Sequence, residues 1–394
     1  MKITLVLASM LILIRMKLGV GYVLILASGL LAALYLMPLP AILSTIQATI
    51  ADPITVKLFF ALTLIKTLEL ILREKQVMTK MMKASRNLFR KKRAVIVSMP
   101  LLIGLLPSLG GAYFSAPMVE EATKGLKMPP EEKGFINYWF RHPWEYVLPL
   151  YPGILLASAV TGIELRSLIL CNSAYALLVF ITGFLFSMRE VHKRQPGESK
   201  TGSADWKQLW SFLPIAFVLA LVIVFHLELH YALGITVVLL FAFYKFNPKD
   251  MFVALRYGFT ADVITLIFGT MLFKCTMENS SAVVHLSRYF TGKGIPLLPM
   301  LCILPFISGL LTGHTVGFVG STFPLILSLA GGAHLNQMTL AFAAGFLGVL
   351  LSPVHLCFVL TREYFKADMW GIYKKVIPAS CIIFAGALAE YFIL

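Results

Sequence analysis

The chain alternates long apolar segments with short polar ones. A helix needs about 20 apolar residues to cross about 30 Å of hydrocarbon, and segments close to that length recur from end to end. The pattern therefore predicts an all-α polytopic membrane protein with about ten transmembrane helices. The predicted spans are residues 3–14, 18–36, 54–72, 135–163, 168–188, 209–225, 231–244, 262–277, 338–360 and 376–392.

Two further apolar stretches, 94–118 and 295–329, are interrupted. The first contains GLLPSLGGAYFSAP (104–117) and the second GLLTGHTVGFVGSTFP (309–324). Glycine and proline at these places end helical hydrogen bonding, which is tolerated at membrane depth only where protein or a water-filled cavity receives the backbone. The segments flanking each stretch are predicted to lie on one side of the membrane. Each stretch is therefore predicted to be a re-entrant hairpin, at about 94–123 and 295–330.

Composition supports the membrane assignment and explains the charge. Apolar residues make up 58% of the chain and charged residues 13%, with a mean hydropathy of +0.83. A soluble domain normally carries about 25% charged residues. The net charge of +15 falls largely in loops, with nine basic residues in 73–93 and five in 189–208. The positive-inside rule places both loops in the cytoplasm, predicting a multi-pass protein of the cell (inner or plasma) membrane and no nucleic-acid partner.

The N-terminus and the cysteines add two smaller expectations. Residues 1–14 are predicted to be a short first membrane helix rather than a signal peptide, because no small-residue cleavage site follows the apolar run. The five cysteines lie in apolar segments without CxxC spacing, so neither a disulfide framework nor a zinc site is predicted. No cofactor or structural metal is expected.

The two halves of the chain repeat each other weakly. GLLP (104–107) matches GLLT (309–312), LIKTLEL (64–70) matches LFKCTME (272–278), and HPWE (142–145) matches SPVH (352–355). All these offsets fall between 205 and 210 residues. Each half is predicted to cross the membrane five times, so the halves have opposite orientation. The predicted units are a first inverted repeat (1–188), a cytoplasmic linker (189–208) and a second inverted repeat (209–394).

Pro143 and Pro353 interrupt matched spans, 135–163 and 338–360, just after the matched hairpins. Proline removes a backbone donor and disturbs the preceding helical turn. Inverted repeats with discontinuous helices are typical of secondary transporters, whose site lies at the membrane midplane where the broken elements meet. Both prolines are therefore interpreted as functional helix breaks.

With two oppositely oriented hairpins and two broken helices, the chain resembles the ion transporter superfamily. It is most similar to an integral membrane family of bacteria and archaea, of the domain of unknown function 401 type. More distantly, it resembles the divalent anion/sodium symporters and the gluconate and citrate permeases. The resemblance implies an elevator-type permease that works as a homodimer. The symporters carry Ser-Asn-Thr at both hairpin tips, whereas this chain has Ser108-Leu109-Gly110 and Gly313-His314-Thr315, so sodium coupling and dicarboxylate specificity are not carried over.

Candidate binding residues surround the four interruptions. Glycines allow close backbone approach, hydroxyls supply neutral donors, and Arg141 and His142 suit an anionic substrate. Glu145 and His355 are candidate carriers of a coupling ion, H⁺ or Na⁺, because ionisable groups inside spans are costly and mark ion pathways. The predicted substrate-binding residues are Ser108, Gly110, Gly111, Tyr113, Ser115, Arg141, His142, Thr312, Gly313, His314, Thr315, Gly317 and Ser352.

These features predict a secondary active transporter for a small anionic organic substrate such as a carboxylate. A cation/proton antiporter with Glu145 as the ion carrier is the alternative within the same class. A channel fits the paired hairpins less well. His142, Glu145, His314 and His355 could ligate a metal in an intramembrane enzyme, but no HExxH, GxSxG or Walker A motif is present, so no enzyme is predicted.

Overall fold

The structure is a computed structural model and describes residues 2–16, 18–77, 79–81, 84, 92–105, 107, 111–187, 210–280, 282 and 296–393. Helices account for nearly all of the ordered structure in these segments, and none of them contains a strand. Helices satisfy the backbone polar groups of their interior within one segment, which suits an apolar environment. The predicted all-α class is confirmed.

The first half contains ten of the described helices. Four precede the first interrupted stretch, two form that stretch, three form the first broken helix, and one long helix follows. They are α1 (Lys2–Arg15), α2 (Val20–Leu34), α3 (Leu39–Ala51), α4 (Pro53–Glu74), α5 (Lys92–Gly104), α6 (Gly111–Ala122), α7 (Pro130–Trp139), α8 (Trp144–Val147), α9 (Pro152–Thr161) and α10 (Leu165–Phe186).

The second half repeats this order. Helices α2 and α12 begin at residues 20 and 229, and α3 and α13 begin at 39 and 248, an offset of 209 in both cases. The described helices here are α11 (Leu213–Ile223), α12 (Leu229–Phe243), α13 (Pro248–Gly258), α14 (Ala261–Asn279), α15 (Leu297–Thr312), α16 (Thr315–Ala330), α17 (Leu335–Leu350), α18 (Leu356–Phe365) and α19 (Met369–Ile393).

Two of the described helices, α10 and α19, are long and apolar enough to cross a membrane unaided. A third span arises if α13 and α14, which meet at a bend of 43°, act as one. The other apolar helices in the described segments have 10–17 residues, because breaks and turns divide the apolar segments. The membrane character is thus supported, while the number of ten spans stays a prediction.

Helices α3 and α13 occupy stretches that the sequence pattern left as loops. Each begins with proline in its first turn, where a missing N–H costs nothing. At α13 the Asn247 side chain accepts a hydrogen bond from the Asp250 N–H at 2.8 Å. Both helices are short and carry polar residues among apolar ones. They therefore do not form the long apolar runs from which spans were predicted.

The hairpins of each half pack on the broken helices of the other half. Helix α9 packs on α16, and α18 packs on α6. A Cβ on Gly153 would lie 2.6 Å from Thr315 Cβ, so the first contact depends on glycine. Asn137 of α7 donates to the Ala112 carbonyl of α6 (3.0 Å) and to the Thr361 hydroxyl of α18 (2.9 Å). The four interrupted elements therefore form one interlocked unit, called here the crossover unit (α5–α9 and α15–α18).

The earlier helices of each half form a second layer beside the crossover unit. Helix α2 packs on α14, and α4 packs on α12 and α13. Glycines permit the closest approaches: a Cβ on Gly21 would lie 2.3 Å from the Thr265 carbonyl carbon, and one on Gly258 would lie 2.3 Å from the Thr63 oxygen. We call α2–α4 and α12–α14 the flanking layer.

Candidate functional site

The first broken helix is interrupted twice. Helix α7 ends at Trp139, the short α8 begins at Trp144 after Pro143, and a second gap precedes α9 at Pro152. The sequence predicted only the gap at Pro143. Arg141 and His142 lie in the first gap and are buried, at 3% and 1% exposure.

Side chains of the broken helix hold the first hairpin against it. The Trp144 indole N–H donates to the Leu101 carbonyl (2.7 Å), and the Tyr151 hydroxyl donates to the Gly104 carbonyl (2.6 Å). A Cβ on Gly104 would lie 2.3 Å from the Arg141 oxygen. Carbonyls freed at the end of α5 are thus satisfied by the broken helix, as buried backbone groups require.

The second broken helix is interrupted between Leu350 and Leu356. The Ser352 hydroxyl donates to the Leu310 carbonyl at 2.6 Å, joining this gap to the second hairpin. Tyr138, from the first half, donates its hydroxyl hydrogen to the Leu350 carbonyl at 2.9 Å. A hydrogen bond from the first half of the chain thus stabilises the gap in the second half.

The second hairpin turns at Gly313, which has a φ of +64°. L-residues with a side chain rarely adopt this left-handed conformation. A Cβ there would also lie 3.1 Å from the backbone of His355. Helix α16 then begins at Thr315 without a side-chain cap. Gly313 thus brings the second hairpin directly against the second gap.

A cavity of about 420 Å³ lies where the crossover unit meets the flanking layer. One wall comes from α4, α13 and α14, and the other from the two gaps and the start of α16. Helices α16 and α18 both begin at this cavity, and the first N–H groups of a helix carry partial positive charge. The charged and hydrogen-bonding lining residues are Lys66, Glu69, Arg73, Arg141, Glu145, Tyr151, Tyr257, Asp262, His314, Thr315, His355 and Cys357.

Two histidines and a cysteine meet at the edge of the cavity. His142 Nε2 and His355 Nε2 are 3.1 Å apart, and the Glu145 carboxylate lies 3.8 Å from His142 Nε2. The Sγ atom of Cys357 and one ring nitrogen of each histidine all lie within 4.8 Å of one another. Among the described residues, this group is the one whose ligand atoms could hold a metal ion. Cys357 has no partner cysteine nearby in the chain, so its spacing does not indicate a metal site.

The structure brings part of the predicted site together. Arg141, Glu145, His314, Thr315 and His355 line the cavity. The other predicted residues in the described segments do not line the cavity: Gly111, Ser115, His142, Thr312, Gly313, Gly317 and Ser352. Ser108, Gly110 and the side chain of Tyr113 fall outside the described residues, as do the linker 189–208 and most of the loop 73–93.

The flanking layer contributes lining residues that the sequence analysis did not place in the site. Lys66, Glu69 and Arg73 follow one face of α4, at spacings of three and four residues. Tyr257 lies under two of these cations, 5.5 Å from Lys66 Nζ and 5.3 Å from the Arg73 guanidinium. Their periodic spacing was visible in the sequence, but only the fold shows which element they face.

The chain was also compared with known proteins. None of the curated proteins matches it. A family model described as "Protein of unknown function (DUF401)" matches residues 2–393, which is nearly the whole chain. The chain therefore belongs to the DUF401 family.

Proposed function

We propose that the protein is a secondary active transporter for a small anionic organic solute such as a carboxylate. The observation that carries the proposal is the cavity between the crossover unit and the flanking layer, lined from both halves of the chain. Transporters built from repeats place their substrate between discontinuous helices, where unpaired backbone groups and buried polar residues meet. The resemblance to the ion transporter superfamily supports the same assignment.

The charges and dipoles at the cavity favour an anion on the side of the crossover unit. Arg141 is buried there, and its guanidinium can bind a carboxylate through two parallel hydrogen bonds. The starts of α16 and α18 add the partial positive charge of two helix N-termini. Thr315 adds a neutral hydroxyl. These groups together can replace the hydration shell of a carboxylate.

We further propose an elevator mechanism in a homodimer. The cavity lies at the boundary of two layers, so sliding the crossover unit along the flanking layer would carry a bound solute across the membrane. The hairpins are then re-entrant and open to opposite sides. The repeats 1–188 and 209–394 are inverted, with the loops 73–93 and 189–208 in the cytoplasm. The coupling ion is H⁺ or Na⁺, with Glu145 and His355 as the groups positioned to meet it.

A cation/proton antiporter is the second candidate, favoured by the three carboxylates that line the cavity. Glu69 and Asp262 come from the flanking layer and Glu145 from the first gap. Such carboxylates could carry cations alternately with protons. Lys66, Arg73 and Arg141 line the same cavity and offset those carboxylates, which favours the anion transporter.

A ligand screen separates these candidates. The purified protein would be heated with carboxylates, inorganic oxyanions and amino acids, each with and without sodium, and its apparent Tm recorded. Any ligand that binds the folded state alone stabilises it by RT ln(1 + L/Kd), where L is the free ligand concentration, and so raises Tm. The proposal expects a carboxylate to raise Tm. A response to monovalent cations alone, with no effect of any anion, would favour the antiporter.

A further inference from the structure

The imidazole rings of His142 and His355 face each other where the two gaps meet. The Nδ1 atom of His142 lies 2.6 Å from the Tyr138 carbonyl oxygen, and Nδ1 of His355 lies 2.6 Å from that of Gly313. Because a carbonyl oxygen only accepts hydrogen bonds, each Nδ1 carries the ring proton. In neutral rings both Nε2 atoms then present lone pairs, at a separation of 3.1 Å. Two lone pairs this close repel each other, which a proton shared between the rings or a cation bound by both would relieve.

Cys357 supplies a third donor of the type that transition metals prefer. Around a tetrahedral ion, with metal–nitrogen bonds of about 2.0–2.1 Å and a metal–sulfur bond of about 2.3 Å, the donor atoms are about 3.3–3.6 Å apart. A nitrogen of each ring and the Cys357 Sγ atom lie within 4.8 Å of one another, so small side-chain rotations would complete the site. The Nδ1–H bonds to carbonyls are the outer contacts that fix the tautomer and orientation of metal-binding histidines.

We propose that His142 Nε2, His355 Nε2 and Cys357 Sγ bind a late first-row transition metal ion such as Zn²⁺. His355, Cys357 and Glu145 line the cavity, so a fourth ligand would reach the ion from the cavity. Imidazole and thiolate favour such ions over Na⁺ or Mg²⁺, which prefer oxygen ligands. On binding, the Cys357 S–H bond breaks, its electron pair coordinates the metal, and the proton leaves to solvent through the cavity.

The charges around the site are compatible with a divalent ion. Arg141 lines the same cavity and opposes the metal, but the Cys357 thiolate and the Glu145 carboxylate each contribute one negative charge. With the metal and Arg141, these groups sum to about +1. The loaded site would therefore attract a carboxylate, which could occupy the open position of the ion. This link to anions rests on the proposed function, whereas metal binding itself does not.

Cobalt(II) is the probe that tests the site, since its spectrum reports both tetrahedral geometry and thiolate coordination. The full chain, purified in detergent and stripped with a chelator, would be titrated with Co²⁺, and bound Zn²⁺ would be counted by elemental analysis after desalting. We expect one ion per chain and a sulfur-to-cobalt charge-transfer band. Cys357→Ser should remove the band, and both Cys357→Ser and His355→Gln should weaken binding more than about tenfold.

Matched controls are Cys381→Ser and His334→Gln, which change exposed residues of the same types outside the cavity. Both should bind Co²⁺ like the wild type. Wild-type protein without bound cobalt, or with cobalt but no charge-transfer band, would overturn the proposal even if the site variants fail to fold. A band that persists in Cys357→Ser would also overturn it. Anion exchange measured on the stripped protein tests the transporter proposal separately.

Discussion

Arg141 links the helix break to the ligand chemistry of the cavity. Its backbone oxygen lies against Gly104 of the first hairpin, while its side chain lines the cavity. A rigid fork of N–H donors at such a position can orient a carboxylate, which a lysine ammonium would do less well. Packing against Gly104 thus fixes the position of Arg141, and its side chain supplies a positive charge to the cavity.

Arg141→Gln should raise the KM for carboxylate uptake more than about tenfold, because a hydrogen bond to a charged group contributes about 1.5–3 kcal/mol. Initial uptake rates into proteoliposomes measure this effect. Arg256→Gln, an exposed arginine on α13, serves as the matched control and should leave KM unchanged. Equal KM values in both variants would remove Arg141 from the binding site.

Gly313→Ala should lower the apparent Tm and also abolish uptake. The left-handed backbone costs a non-glycine residue about 1–3 kcal/mol, and the new Cβ would press on the backbone of His355. Gly331→Ala is the control, since Gly331 has a φ of +72° with no atom within 4 Å of the added carbon. The Gly331→Ala variant should lose stability only through its left-handed backbone conformation and should keep its uptake activity. Loss of uptake in both would point to instability rather than to the site.

At the scale of elements, the contact of α9 with α16 joins the two halves of the chain. Gly153→Ala should destabilise the protein by about 1–3 kcal/mol, the usual cost of overpacking, because Thr315 lies where the methyl group would go. Gly29→Ala in α2, where the added carbon meets nothing within 4 Å, should be neutral or slightly stabilising. Thermal unfolding in detergent compares the two variants.

Adding Thr315→Gly to Gly153→Ala should restore most of the lost Tm, because it removes the clashing side chain. A double-mutant cycle would then give a stabilising coupling free energy between the two substitutions, opposite in sign to the loss of stability caused by Gly153→Ala alone. Additive losses would show that the two helices do not meet at this point.

The sequence predicted the elements whose signals are local. Apolar runs located most of the helices, and the proline and glycine positions located the hairpins and both gaps at Pro143 and Pro353. Helices α3 and α13 were missed because they are short and amphipathic. The second gap in the first broken helix was missed as well, although Pro149 and Pro152 mark it in the sequence. Short helices depend on tertiary packing for their stability, and the periodicity of the sequence carries no information about that packing.

The site was less predictable than the elements, because it combines residues far apart in the chain. Arg141 and His355, which line the cavity, were predicted as site residues from their places beside prolines inside apolar spans. Cys357, the proposed third metal ligand, gave no such signal, since a cysteine without a nearby partner in the chain looks like any other cysteine in an apolar segment. The part that α4 plays in lining the cavity could not be predicted, because it depends on how the flanking layer packs. No local sequence pattern specifies that packing.

At the scale of the whole molecule, the repeat makes a topological prediction. Glu74 and Asn279 are exposed residues at the ends of the matched helices α4 and α14. In an inverted repeat these ends lie on opposite sides of the membrane. Single cysteines at the two positions, in a background whose five native cysteines are replaced by alanine, should therefore react with an impermeant maleimide from opposite sides of intact cells. Reaction of both from one side would contradict the inversion.

Counterflow tests most directly whether the cavity carries an anion by alternating access. Proteoliposomes preloaded with the carboxylate that raises Tm most would be diluted into a trace of the same compound in labelled form. A carrier exchanges one for the other, so the label should accumulate transiently above its external concentration, and Arg141→Gln should suppress this overshoot. Label that only equilibrates downhill would indicate a channel. A wild-type protein that moves no label would contradict a transport function.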